Sequence, residues 1–296
     1  MGAMKTMSML AGAVCTLLWA GCGEQEKEPT EPQTPQEMYN RVRELLLPNA
    51  EHDASDFSQA MEWLQRAAEA GHLQAQTDLG GIYLEGGKGD VKPNGKLAYE
   101  WFSRAAAQGS KEALYYMGLI LDAGLDVPAD KQKALLLWHE AAEAGVAEAQ
   151  LRLGLALGRA EQPEAVHQGL RWLSRAVQAK APKTAASAAC ALGNIYAKGR
   201  PGTPQDMAEA ARWYKIAADG GDASAQLVYA LMLLGGQPIP KDEAQGMRYL
   251  RLSAGQDNAA AIRLLVQQLR ESGNEQEAEA WEQRLTKLQE QGEPSR

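Results

Sequence analysis

The segment WFSRAAAQGSKEALYYMGLILDAG, residues 101–124, decides the fold of this chain. It sets Gly109 after three alanines and places Gly118 among apolar residues that recur at helical spacing. Glycine weakens a helix interior by about 1 kcal/mol relative to alanine. We therefore predict that Gly109 ends a helix in a left-handed cap. Gly118 is expected where a second helix approaches closely enough to offset that cost.

The pattern of this segment occurs six times along the chain. In each copy a large residue follows a small one by three positions, and this large residue is Trp63, Trp101, Leu137, Trp172, Trp213 or Tyr249. Another stretch of apolar residues with helical spacing follows each copy. A period of about 36 residues made of two helices indicates a solenoid. The tryptophans are accordingly interpreted as core wedges between neighbouring repeats rather than as a ligand cage.

The repeated glycines fall into two groups. Gly71, Gly109, Gly145 and Gly221 stand at helix ends and are predicted to be caps. The other group stands inside helices and consists of Gly80, Gly118, Gly154 and Gly193. We expect the missing side chains to let the other helix of the repeat pack closely through an alanine pair such as Ala67 and Ala68.

Residues 57–272 resemble the Sel1-like repeat family, a relative of the tetratricopeptide repeat. The first helix of each repeat carries A-x-x-L-G-x-x-Y-x-x-G, and the second carries A-x-x-W-(Y/F)-x-x-A-A-x-x-G. The resemblance implies an all-α fold, a right-handed superhelical solenoid of helix-turn-helix repeats. Residues 37–56 are predicted to form an N-terminal helix, and residues 273–291 a C-terminal capping helix with one apolar side.

The related tetratricopeptide geometry implies a concave face lined by fixed positions of each first helix. For this chain we expect that face to bind a partner through Gln74, Thr77, Leu84, Glu112, Tyr115, Leu119, Asp122, Glu148, Asn194, Ser224, Leu227, Arg263, Gln267 and Arg270. A mostly apolar groove with polar flanks suits an extended or helical peptide. The alternative is that tight curvature packs the mid-array leucines and leaves no open groove; these are Leu151, Leu155, Leu227 and Leu231.

The N-terminus has the features of an export signal. Residues 1–21 combine one positive charge at Lys5 with a short apolar run. Small residues lead directly to Cys22, which resembles the lipobox of bacterial lipoproteins, although Trp19 stands where leucine is usual. The resemblance implies lipidation of Cys22 and retention at the outer membrane. An ordinary cleaved signal and a retained anchor stay open, and residues 22–36 are predicted to be a disordered tether rich in proline and glutamate.

Few residues in the chain suggest chemistry. The four histidines include no metal-spaced pair, so no metal is expected. No cofactor motif is recognisable, because GDVKPNGKL has the wrong spacing and residues for a phosphate loop. Cys190 lies in an apolar helix and is interpreted as a small buried hydrophobe. A net charge of -8 without basic clusters argues against nucleic acid as a partner.

These observations favour a non-catalytic scaffold that binds another protein or a peptide. We expect it on the periplasmic side of a bacterial envelope, attached to the membrane only through its N-terminal lipid. The first alternative is a module that binds peptidoglycan or another glycan, with Tyr115 and Tyr116 as the nearest candidates. The second alternative is a cell-wall hydrolase.

Overall fold

A computed structural model describes residues 34–46, 54–87 and 91–292. Within these ranges the chain forms fourteen α-helices and no β-strand. The helices are α1 (Pro35–Leu45), α2 (Ala54–Glu69), α3 (Leu73–Glu85), α4 (Gly95–Ala107), α5 (Lys111–Ala123), α6 (Lys131–Glu143), α7 (Ala147–Leu157), α8 (Pro163–Val177), α9 (Pro182–Lys198), α10 (Met207–Asp219), α11 (Ala223–Gly235), α12 (Glu243–Gly255), α13 (Ala259–Glu271) and α14 (Glu275–Gly292). The predicted signal, Cys22 and the tether up to residue 33 lie outside the described residues.

The helices pack as seven successive pairs. Each odd-numbered helix packs most extensively on the even-numbered helix that follows it, and less extensively on the one before it. Extensive packing lies between helices that are adjacent in the chain, with a smaller contact between α7 and α9. This arrangement is an all-α repeat solenoid, as the sequence pattern predicts. We call the odd-numbered member of each pair the first helix and the even-numbered member the second helix.

Tryptophans of the second helices fill the boundaries between pairs. Trp101 of α4 is buried among side chains of α1, α2 and α3. Trp172 of α8 is buried in a cluster built from α4 to α7. Trp213 is half-buried and contacts two core clusters. Arg104 and Arg175 lie 4.4 and 4.6 Å from the ring centres of Trp101 and Trp172, so each arginine covers the outer side of its tryptophan.

The glycines inside helices pack against different side chains from those expected. A Cβ at Gly80 would lie 2.8 Å from the Phe102 ring, and a Cβ at Gly193 would lie 2.8 Å from the Tyr214 ring. The equivalent neighbour is Trp138 for Gly118 and Leu173 for Gly154. The second helix therefore faces the glycine with a large buried side chain. The expected contact with an alanine pair is wrong, because these larger side chains lie nearest to the four glycines.

The glycines at the helix ends adopt the predicted conformation. Gly71, Gly109, Gly145 and Gly221 have φ values of 90°, 96°, 92° and 90°. A Cβ at any of these four positions would meet no atom within 4 Å. Their requirement for glycine is therefore one of backbone conformation and not of space.

The first helix begins earlier than the sequence interpretation placed it. The helix starts at Pro35, so Pro35 and Gln36 belong to α1 and not to the tether. Thr34 caps the helix by accepting from the Glu37 amide, and the Glu37 carboxylate accepts from the Thr34 amide. Proline suits the first helical turn because it lacks a backbone N–H, and the N–H groups of that turn have no partner within the helix. The helix ends at Leu45, and α2 begins at Ala54.

Candidate functional site

The predicted partner-binding residues lie on the first helices α3, α5, α7, α9, α11 and α13. None of the fourteen is buried. Eight are exposed, namely Gln74, Glu112, Asp122, Asn194, Ser224, Arg263, Gln267 and Arg270. Six are half-buried, namely Thr77, Leu84, Tyr115, Leu119, Glu148 and Leu227. We call the surface of the first helices that carries these fourteen residues the first-helix face.

The mid-array leucines remain accessible on this face. Leu151, Leu155 and Leu227 are half-buried against the core, and Leu231 is 48% exposed. Curvature does not bury any of the four. The alternative in which these leucines are packed away therefore fails at Leu231, whereas the other three are partly packed against the core.

A hollow of about 590 Å³ lies beside α3 at the N-terminal end of the face. It brings together four predicted residues, Gln74, Thr77, Leu84 and Glu112, with Val42 of α1 and Leu46, which follows that helix. Its charged lining is acidic and consists of Asp78, Glu85 and Glu112. We call it the α3 hollow.

Hydrogen bonds to α1 hold one wall of the α3 hollow. Tyr39 donates from its hydroxyl to Asp78 Oδ2 at 2.7 Å, and Gln74 donates to Asp78 Oδ1 at 2.7 Å. Burial and the hydrogen bond to Asp78 raise the pKa of Tyr39 to about 12. Asp78 is therefore engaged within the fold, whereas Glu85 and Glu112 are exposed at the rim.

A second hollow, of about 360 Å³, lies beside α9 in the middle of the face. It includes the predicted residues Asn194 and Ser224. Leu155, Ala191 and Ile195 supply its apolar lining. Its charged lining consists of Arg159, Lys198, Arg200 and Asp222. We call it the α9 hollow.

Cys190 lies in the α9 hollow as a half-buried free thiol. Burial raises the pKa of Cys190 to about 12, and the Asp222 carboxylate beside it acts in the same direction. The thiol is therefore protonated at neutral pH. A protonated thiol is a poor nucleophile and a poor metal ligand.

Several predicted residues are engaged in bonds within the chain. Thr184 donates to the Glu148 carboxylate at 2.9 Å, and Gln267 donates to Glu271 at 2.8 Å. Arg270 pairs with Glu275 and Glu282 of α14. The residues that line neither hollow are Tyr115, Leu119, Asp122, Glu148, Leu227, Arg263, Gln267 and Arg270.

The sequence interpretation missed the charges of the α9 hollow. Arg159 and Lys198 each directly follow a position that the tetratricopeptide geometry assigns to the groove, but neighbouring helical residues do not share a face, so the groove spacing does not mark them. Arg200 lies in the loop after α9, where repeat geometry assigns no groove position. Asp222 is the N-cap of α11, accepting from the Ala225 amide at 2.8 Å.

Other kinds of site lack support within the described ranges. No three histidine, cysteine, aspartate or glutamate side chains come together there in a way that could hold a metal ion. Among residues 34–46, 54–87 and 91–292, no helix has both the length and the apolar character needed to cross a membrane.

The paired helices and their open first-helix face define the class: an all-α repeat protein of the kind that binds other proteins. The chain belongs to the Sel1 repeat family. The Sel1 repeat model matches more than half of the chain, at residues 53–72, 73–110, 111–146, 147–180, 186–222 and 223–258. The first match contains α2 alone, and α1 supplies the helix that completes this pair. The pair α13–α14 lies beyond the last match.

Solved structures share the architecture. A Sel1 repeat protein from Oxalobacter formigenes is 25% identical with a TM-score of 0.62, covering 78% of this chain and 92% of that one. A protective antigen of uropathogenic Escherichia coli strains, described as having an SLR fold, is 26% identical with a TM-score of 0.68. That likeness covers 86% of this chain and 54% of the antigen.

A curated relative shares a shorter stretch. Chitin synthase regulatory factor 3 of Schizosaccharomyces pombe is 36% identical over 91 residues, which is 31% of this chain and 10% of that protein. The chain thus spans a small part of this relative and about half of the antigen. The likeness lies in the repeat architecture.

Proposed function

We propose that this chain is a non-catalytic scaffold that binds another protein, or a peptide segment of one, on its first-helix face. The supporting observation is that all fourteen predicted positions of this face are exposed or half-buried, and that two hollows lie along it. Apolar lining beside polar and charged rims provides area for burial together with groups that orient a partner.

The cellular place of the scaffold is also a proposal. The sequence MGAMKTMSMLAGAVCTLLWAGC supports export, cleavage before Cys22 and attachment of lipid to that cysteine. The body then lies on the periplasmic side of the bacterial outer membrane. A single acyl chain binds membranes only marginally, and stable anchoring needs more than one.

Lipid attachment is tested by labelling cells with a radioactive fatty acid. We expect label on the wild-type chain and none on Cys22→Ala, which should move from the membrane fraction to the soluble fraction. Equal labelling or equal membrane association of the two chains would contradict the anchor. This outcome would leave the binding of a partner untouched.

Partner binding is tested by crosslinking in intact cells, followed by affinity purification of the full chain. We expect one or a few proteins to be recovered in constant proportion to the scaffold. Sedimentation with purified cell wall separates this function from the glycan-binding alternative. Within the described part of the chain no contact favours that alternative, since Tyr115 and Tyr116 are half-buried and Tyr116 stacks on Phe102 with ring centres 4.8 Å apart.

A further inference from the structure

We propose that the α9 hollow binds an acidic peptide segment in which an apolar side chain is flanked by carboxylates. The inference rests on the proposed function and names the chemistry of the partner. Three cations, Arg159, Lys198 and Arg200, line the hollow together with one carboxylate, Asp222. This balance is opposite to that of the whole chain, which has 38 acidic and 30 basic residues.

The cations of the α9 hollow are available to a ligand. Arg159 and Lys198 are exposed, and Arg200 is half-buried. None of the three forms an ion pair with another residue of the described ranges. Elsewhere on the same face Arg270 is already paired with two glutamates of α14. A carboxylate placed among unpaired cations gains attraction without breaking an existing ion pair.

The single carboxylate of the hollow is engaged in the fold. Asp222 caps α11 through the Ala225 amide. It also lies beside the Cys190 thiol, whose pKa its charge raises. The negative charge of Asp222 thus lies at the N-terminus of α11, where the positive end of the helix dipole offsets it.

The loop that carries Arg200 is held by hydrogen bonds. Arg200 and Thr203 exchange two backbone hydrogen bonds, of 2.7 and 2.8 Å. Gly199 and Gly202 on either side have φ values of 71° and 75°. His167 of α8 lies with Nε2 3.0 Å from the Gly202 carbonyl oxygen. A positioned loop loses less conformational entropy on binding than a mobile one.

The two hollows favour opposite charges. The α3 hollow has Asp78, Glu85 and Glu112 as its charged lining, whereas the α9 hollow carries an excess of cations. The apolar lining of the α9 hollow accepts an apolar side chain; it consists of Leu155, Ala191 and Ile195. Charge therefore selects the acidic segment and the apolar lining holds it.

The test measures binding of three labelled peptides to the full chain in detergent. The peptides are LEELEEL, LQQLQQL and LKKLKKL, each with blocked ends. We expect the acidic peptide to bind more tightly than the glutamine peptide by about tenfold or more, at concentrations up to about 1 mM. This preference should shrink between about 50 mM and about 500 mM salt, because salt screens exposed charges.

Charge-reversal variants locate the site. Arg159→Glu combined with Lys198→Glu should weaken binding of the acidic peptide by about tenfold or more. The matched control reverses two exposed cations outside the hollow, Lys131→Glu and Lys287→Glu, and should leave binding unchanged. If reversal prevents folding, Arg159→Gln with Lys198→Gln replaces it, and a smaller loss is expected.

Equal binding of the acidic and glutamine peptides would overturn the inference, as would no binding of the acidic peptide or an equal loss in the control variant. Crosslinking in cells separates this failure from failure of the scaffold function. If the reversed chain recovers the same proteins as the wild type, the function stands and the acidic-partner inference falls. If neither chain recovers any protein, the proposed function falls.

Discussion

Gly80 and Gly81 are adjacent residues of α3 with opposite surroundings. A Cβ on Gly80 would lie 2.8 to 2.9 Å from three atoms of the fully buried Phe102 ring. A Cβ on Gly81 would have no atom within 4 Å. Helix propensity is the same at both positions, so the packing of Phe102 is the main difference between them.

We predict that Gly80→Ala destabilises the protein and that Gly81→Ala stabilises it. Overpacking against Phe102 should lower the free energy of unfolding by about 1–3 kcal/mol. Replacing a helical glycine that has free space for a Cβ should raise it by about 0.5–1 kcal/mol. Urea unfolding followed by circular dichroism measures both. Equal shifts in the two variants would show that the Phe102 contact does not decide the residue at position 80.

At the scale of helices, α1 is held to the array by a contact that depends on His72. The His72 ring stacks on Tyr39 with centres 4.4 Å apart, and Nε2 lies 3.1 Å from Gln36 Oε1. Nδ1 accepts from the Ala75 amide at 3.1 Å and so caps α3. An accepting Nδ1 requires a neutral ring, in which Nε2 is the donor.

We predict that α1 loosens as the pH falls below about 6.5. Burial lowers the pKa of His72, and the opposing attraction of Asp78 is smaller. The folded state therefore binds fewer protons than the unfolded state. The stability that neutral His72 contributes is present above pH 6.5 and is lost as the pH falls through the lowered folded-state pKa.

Hydrogen exchange of the α1 amides at pH 7 and pH 5.5, corrected for intrinsic rates, measures this change. Protection should fall at the lower pH in the wild type. The control is His72→Asn, since asparagine caps helices without titrating in this range. A pH dependence that persists in His72→Asn would assign the effect to another group.

The last helix, α14, is attached by apolar contacts and by ion pairs, and these differ in their contribution to stability. Ala278 is fully buried, and Trp281, Leu285 and Leu288 are half-buried against the core. The pair between Arg284 and Asp257 joins exposed side chains at 2.7 Å. Apolar burial scales with area, whereas exposed ion pairs contribute little.

We predict that Trp281→Ala lowers the free energy of unfolding by about 1–3 kcal/mol. Asp257→Asn, which removes the charge of the ion pair, should lower it by less than about 1 kcal/mol. Thermal unfolding at low and high salt distinguishes the two, because only the Asp257 effect should depend on salt. If Asp257→Asn lowered the free energy of unfolding more than Trp281→Ala, the ion pair and not apolar burial would be the main attachment of α14.

For the whole molecule, periodicity determined what could be predicted from the sequence. The helix pairs and the positive-φ caps such as Gly109 repeat at regular spacing, so one sequence suffices to place them. The contact of Gly80 with Phe102 depends on the rotation of one helix against another, which spacing does not specify. The start of α1 was missed because Thr34 and Pro35 continue the proline spacing of the tether.

Part of the lining of the α9 hollow could be placed from the sequence, but its charge could not. Repeat geometry marked Asn194 and Ser224 as neighbours on one face, and both line the α9 hollow. Arg200 reaches that hollow from a loop whose course is set by positive-φ glycines and by His167. Such a loop has no periodic signal, so the excess of cations emerges only in three dimensions.

The most direct test of the scaffold function is site-specific photo-crosslinking in intact cells. A photoreactive residue is placed on the first-helix face, at Ser187 or Ser224, or on second helices, at Glu100 or Glu164; all four positions are exposed. We predict that the same partner protein is captured from Ser187 and Ser224 and not from the other two. Capture from the second helices alone, or from none of the four positions, would contradict partner binding on the first-helix face.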